Sequence, residues 1–288
     1  MMYDGPLLNP DTLWQAWNFE PSILVPLVLT ILLYVWGIQK FWHRTGHGFT
    51  HKIYLSFLGT LLALVLAFVS PLDALSEALF SAHMVQHMIL ILVAAPLLVK
   101  SDFHLALLWV LPRQQAHTLG NCWNRLPTLH LITNPIFTCS LFTVTLWSWH
   151  ASRLFETALH NKWVHSLEHL DFLVSAILFW WVLLKPATQK RLHYGMAIPY
   201  LFATVLQSGI LGALMSFSSE AWYPYYTSFV SLWKITLLQD QQLAGLIMWI
   251  PGGTVFTLLT IGYFAAWLDV LEKHEVLPAN NDLLNKRG

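Results

Sequence analysis

The sequence predicts an all-α membrane protein, a bundle of seven transmembrane helices with the N-terminus outside and the C-terminus in the cytoplasm. Three observations carry the prediction. The chain is 56% hydrophobic and only 10% charged over 288 residues, whereas soluble domains carry about a quarter charged residues. Seven apolar stretches approach the roughly 20 residues that a spanning helix needs. Lysine and arginine gather in alternate loops, which the positive-inside rule makes cytoplasmic.

The spans, in order, are 22–42, 52–70, 76–99, 133–150, 164–184, 196–217 and 242–268. The first loop holds Lys40, Arg44 and Lys52, the third Lys100, Arg113 and Arg125, and the fifth Lys185, Lys190 and Arg191. The tail adds Lys273, Lys286 and Arg287, while the opposite side has only Arg153, Lys162 and Lys234. An even number of spans would break this alternation, so charge supports seven independently of hydropathy. The stretch "FHLALLWVLP" (103–112) is too short to span and reads as interfacial. With no internal repeat, low-complexity segment or soluble portion in view, residues 1–288 read as one integral membrane domain.

The third span opens with "HMVQHMIL", which places His83 and His87 four residues apart on one helical face. Met88–Val99 extends only about 18 Å at 1.5 Å per residue, short of a hydrocarbon core about 30 Å thick. His83 and His87 therefore sit at membrane depth. The fifth span repeats the pattern with His165 and His169 in "VHSLEHLDF". Phe172–Leu184 is again too short to span, so Glu168, His169 and Asp171 lie within or near the outer leaflet. Ionisable residues at that depth usually face a bundle interior, a partner or a cavity. His150, at the end of the fourth span, and His160, in the loop after it, belong to the same outer half.

Two readings of these histidines stay open. One is an interior hydrogen-bonded network that ties helices together. The other is metal ligation by paired i, i+4 imidazoles. Imidazole suits copper and zinc, and thioether selects Cu(I). With Met88 after His87 and Met248 inside the seventh span, copper as Cu(I) is the first choice and zinc the second. Glu168 and Asp171 are candidates to orient imidazoles as hydrogen-bond acceptors. Gln241 and Met248 share a face of the seventh span. Pro251-Gly252-Gly253 is expected to kink or break that helix, as packing or as a wall of the site. Asp73 and Glu77 read as solvated, with a role at an entry as the alternative. The remaining histidines, His43, His47, His51, His104, His117, His130, His193 and His274, read as cytoplasmic loop residues, with "HRTGHGFTH" a weak metal tract at most.

Several classes recede. A formal net charge of zero gives no electrostatic case for nucleic acid. Cys122 and Cys139 form no metal-binding or redox pair. There is no P-loop, dinucleotide fingerprint, Ser/His/Asp arrangement or HExxH, and no enzyme is expected. The first twenty residues hold Asp4, Asp11 and Glu20 but no basic residue, so no cleavable signal peptide is expected.

Four blocks, "SAHMVQHMILILVAAPLL" (81–98), "ALHNKWVHSLEHLDFL" (158–173), "WYPYY" (222–226) and "DQQLAGLIMWIPGG" (240–253), occur in this order. Together they resemble the seven-helix cytochrome c oxidase assembly factor CtaG family, collinearly from about residue 20 to 268. The unrelated single-span copper chaperone of the same name has a cysteine pair that this chain lacks. The resemblance implies a multi-pass protein of the bacterial plasma membrane that helps a haem–copper oxidase subunit mature at its copper step. It points to His83, His87, His165 and His169 as ligands, with His150 and His160 behind them. A haem-binding membrane protein, with a pair such as His87 and His169 on one iron, and a proton-coupled or metal transporter remain the alternatives.

Overall fold

The computed structural model describes residues 10–46, 48–126, 131–184 and 194–285, the last with side chains to 272. His47, His130, His193, the fifth-loop cations Lys185, Lys190 and Arg191, and the tail's Lys286 and Arg287 lie outside them, as do the side chains of Lys273 and His274.

Helix starts and stops follow local chemistry. α1 (Pro21–Thr45) begins on a proline, whose fixed φ suits a first helical position. It ends on Gly46 at φ 69°, the left-handed conformation glycine adopts without strain. α2 (His51–Phe68) follows. α3 (Pro71–Ala78) is capped by the Ser70 hydroxyl, which accepts the Leu72 N–H. α4 (Phe80–Lys100) carries the first histidine pair. Two shorter helices come next, α5 (Phe103–Val110) and α6 (Arg113–Arg125). α7 (Pro135–Trp149) is capped by Asn134, and α8 is Ser152–His160. The Asn161 side chain accepts the Trp163 and Val164 N–H groups at the head of α9 (Lys162–Leu184). α10 (Tyr194–Ser216) and α11 (Leu237–Asn285) complete the bundle.

Among the described residues there is no strand, and six helices are long and apolar enough to cross a membrane: α1, α2, α4, α9, α10 and α11. The fourth predicted span corresponds to α7, whose 15 residues cover about 22 Å. Leu29, Leu32, Leu58 and Leu62 on α1 and α2 are exposed, as a lipid-facing surface requires.

Two expectations change. The third span is not one helix from residue 76: Leu79 is extended (φ −133°, ψ 128°) and separates α3 from α4. The gap lets Asp240 of α11 accept the Phe80 and Ser81 N–H groups, a helix cap supplied from 160 residues away. α11, by contrast, runs unbroken through Pro251, Gly252 and Gly253 and on to Asn285. Proline is tolerated inside membrane helices because neighbours re-satisfy the freed backbone. α5, the stretch read as interfacial, packs against α1. A Cβ on Gly37 would stand 2.1 Å from the Ala106 carbonyl oxygen, so glycine is what allows this approach.

The core follows the helix order. α4 packs between α2 and α11, and its C-terminal half lies on α9. α7 rests on α9, while α10 and α11 form the most extensive pair. A Cβ on Gly245 would meet Ser216 Oγ at 2.5 Å and the Gly212 carbonyl oxygen at 2.7 Å, so small residues set that pair's spacing.

Candidate functional site

Because α4 and α9 are neighbours, their paired histidines converge. Ring centroids of His83 and His87 are 4.3 Å apart, and those of His165 and His169 4.5 Å. Between helices, His83 stands 5.4 Å from both His165 and His169, and His87 5.1 Å from His169. Glu168 enters the same space, its Oε1 3.4 Å from His83 Nε2 and 3.7 Å from His87 Nε2. His83, His87, His169 and Glu168 are buried.

Hydrogen bonding leaves this cluster unfinished. His83 Nδ1, both His87 nitrogens, His165 Nε2, His169 Nε2 and Glu168 Oε2 are buried without a hydrogen-bond partner. Buried polar groups are nearly always paired, so orphans gathered in one place need a reason. Two sets of donor atoms lie within 4.8 Å of one another: His83 with His165 and His169, and His83 with His87 and Glu168. Either set could hold a metal ion.

The surroundings hold α4 in place. Asp240 caps its first turn and also accepts the Ser81 hydroxyl. Gln86 donates to the Ala67 carbonyl at 2.7 Å and to Asp73 at 3.0 Å. One turn past His87 the helix loosens into a π segment, Leu90–Ala94. Such segments are rare and often lie at functional sites. The Trp180 indole on α9 donates to the Ile91 carbonyl there at 2.7 Å. Phe80, Phe155 and Tyr223 close the His83 side, with Phe155 5.2 Å from the His83 ring. Tyr223, from the "WYPYY" block, donates to the His150 carbonyl at 2.7 Å.

The other predicted residues fall at varying distance from the cluster. His150 is buried near Phe172, whose ring also packs on His87. Its Nδ1 lies 2.7 Å from the Leu146 carbonyl oxygen and its Nε2 is unpartnered. His160 is exposed and stacks edge-on against Tyr225. Met88 and Met248 line a cavity of about 20 Å³ with no histidine in its wall. The Met88 sulfur lies 3.9 Å from where a Gly252 Cβ would stand. Next to His87 in sequence, Met88 is turned about 100° around the helix and so reaches α11 instead. Asp171 accepts the Trp149 indole N–H at 2.9 Å, and no imidazole is among its hydrogen-bond partners. Gln241 accepts the Trp222 N–H at 2.6 Å and donates to the Glu220 carbonyl, so it pins the loop after α10. His104, expected to be solvated, packs on Trp181 at 4.4 Å.

A cavity of about 1030 Å³ leads from the N-terminal segment to the cluster. Its wall includes Asn18, Glu20, Asp73, Glu77, His160 and Lys162, and it reaches His165 and His169. Asp73 and Glu77 are half-buried rather than solvated, and burial pushes them up to about 6 and about 7. Asn18 donates to Asp73 at 2.6 Å, which fastens the N-terminal segment over the cavity. Lys162 pairs with Glu20 and holds that carboxyl below its usual value. Sequence reasoning missed Asp240 and Gln86. One signal was present for each: a polar side chain at a span's entrance and another between two histidines.

The family model for the cytochrome c oxidase caa3 assembly factor (Caa3_CtaG) matches residues 32–269, and the chain belongs to that family. It is similar to uncharacterized proteins of Mycobacterium bovis and Mycobacterium tuberculosis, each 29% identical over 256 residues, covering 84% of this chain and 38% of theirs. An uncharacterized protein of Mycobacterium leprae is 25% identical over 266 residues, covering 88% of this chain and 40% of its own. The chain thus spans about two fifths of the length of these curated relatives. No solved structure matches it.

Proposed function

We propose that this chain is a non-enzymatic assembly factor of a bacterial plasma membrane that binds Cu(I) and passes it to a haem–copper oxidase subunit. Membership of the oxidase assembly family supports the client. One observation carries the copper step: four histidines from two helices converge with unpartnered ring nitrogens at the end of a cavity. Imidazole nitrogens, rather than the thioethers of Met88 and Met248, are the primary donors in this reading.

The chain acts as one membrane domain with seven spans, N-terminus outside and C-terminus inside. α7 is the fourth crossing, lengthened by the turn over 131–133 before it and the turn at His150 after it. The loop charges support this orientation, which places the cavity mouth on the outer side. Copper is then cargo, met first by the cavity-lining His165 and His169. The haem reading is less well supported: rings 5.1 Å apart at His87 and His169 leave little room for a porphyrin between them.

The test is bound copper. Detergent-purified protein is dialysed anaerobically against Cu(I), beside a variant with His83, His87, His165 and His169 all changed to alanine. The proposal expects stoichiometric copper that collapses in the variant, and a copper-poor oxidase in a deletion strain. Absence of copper in both proteins, with normal oxidase copper in the deletion strain, would overturn it. A Soret band in purified protein would favour haem instead.

A further inference from the structure

We infer that Glu168 creates a second cation position, His83–His87–Glu168, suited to a divalent first-row ion and adjacent to the three-histidine group that receives Cu(I). The assignment of Cu(I) to His83, His165 and His169 rests on the proposed function; the Glu168 position stands on its own geometry.

Distance is the first argument. Glu168 Oε1 lies 3.4 Å and 3.7 Å from the two imidazole Nε2 atoms. Both exceed the 2.7–3.2 Å of a good hydrogen bond. Ligand atoms about 2.1 Å from a tetrahedral ion stand about 3.4 Å from one another. The two Glu168–imidazole separations are thus close to the edges of a coordination tetrahedron, and the shorter is at most a long hydrogen bond.

Charge is the second. Glu168 is 1% exposed, and its Oε2 has no partner. A buried carboxylate is costly unless an opposite charge or hydrogen bonds offset it. A divalent ion held by Oε1 would supply that opposite charge. Two imidazoles and one carboxylate form a donor set found at zinc sites. Three neutral imidazoles serve zinc or copper alike, so it is the carboxylate that favours the divalent ion at the Glu168 position.

Access is the third. His165 and His169 line the large cavity, while His83, His87 and Glu168 do not. An ion entering from the cavity meets the three-histidine group first and the Glu168 position behind it. His83 belongs to both groups, so the two positions adjoin.

The experiment measures each ion alone on the purified full chain: Zn(II) by equilibrium dialysis, Co(II) by its visible absorption bands, and Cu(I) anaerobically. The variants are Glu168→Gln, the double change His165→Ala with His169→Ala, and His83→Ala. Glu168→Gln is expected to weaken Zn(II) and Co(II) by about tenfold or more while leaving Cu(I) within about twofold. The histidine double variant is expected to do the reverse, and His83→Ala to weaken all three ions. Opposite selectivities in two variants cannot arise from misfolding, which would lower every ion together. Equal loss of all ions in both variants would mean one mixed site and overturn the inference while leaving the copper reading intact. Zn(II) binding unchanged by Glu168→Gln would also overturn it and leave Glu168 as a hydrogen-bonding neighbour of His83. Glu168-dependent Zn(II) binding with no Cu(I) binding would sustain this position and overturn the copper reading.

Discussion

α4 and α11 exchange the roles their sequences suggest. α11 contains Pro-Gly-Gly and is continuous. α4 has Pro96 near its C-terminal end, yet it is cut off from α3 at Leu79 and loosened at Leu90–Ala94. The difference lies in their neighbours. α11 packs along α10 through Gly212 and Gly245, a close seam that favours continuous helix. α4 meets polar side chains at two places, Asp240 at its start and Trp180 at the π segment, and its own Gln86 donates to the Ala67 carbonyl and to Asp73. In a membrane, irregular backbone survives only where protein or water satisfies it. The Asp240 and Trp180 contacts supply that satisfaction, and they bracket His83 and His87.

The comparison breaks most readily at Asp240. Asp240→Ala would leave the buried Phe80 and Ser81 N–H groups without an acceptor, at a cost of about 2–4 kcal/mol. Thermal unfolding in detergent should show the loss, and metal binding should weaken with it. Asp240→Asn keeps one acceptor and should lose less. If Asp240→Ala melts like the parent, the gap at Leu79 is not held by this cap.

A smaller effect is expected at the π segment. Trp180→Phe keeps an aromatic side chain but removes the N–H that serves the Ile91 carbonyl and leaves a small cavity, which should cost about 1–3 kcal/mol. Amide exchange over 90–94 should rise before exchange elsewhere in α4. Uniform exchange would place the stability of that segment in helix packing instead.

These expectations also mark what could be read from the sequence. Helix positions were legible because spans are long and apolar, and the i, i+4 histidine pairs because helical geometry is local. The break at Leu79 was not, since its cap comes from residue 240. Nor could sequence show that Met88 faces α11 while its neighbour His87 faces α9. Both depend on which helices adjoin.

The α3 side of the gap gives a pH handle. Glu77 rises from its usual 4.5 to about 7, chiefly through burial. Between those values the folded chain keeps a proton that the unfolded chain has released. Stability should therefore fall as pH rises from about 4.5 to about 7. Glu77→Gln should flatten that slope, as measured by melting temperature across the range. An unchanged slope would assign the pH dependence to other groups, Asp73 first. The smallest effect is expected at Pro251. It is exposed on a helix that already runs through it, and neighbours re-satisfy backbone freed by proline in membrane helices, so Pro251→Ala should shift stability by no more than about 1 kcal/mol, well under the roughly 3 kcal/mol of an interior helical proline in water. A large gain would show that the proline strains α11 after all.

The sequence by itself determined that this chain is helical, that its helices are long and apolar enough for a membrane, and which residues share a helical face. These properties follow from composition and from a repeat of 3.6 residues per turn, and both are local. Only the tertiary structure decided that α4 and α9 are neighbours, that Glu168 stands between two imidazoles, and that Asp171 and Gln241 bond elsewhere. Those outcomes depend on which helices pack together and at what rotation. That choice is made by side-chain shape at contacts far apart in the chain, such as the Gly212–Gly245 seam and the Asp240 cap.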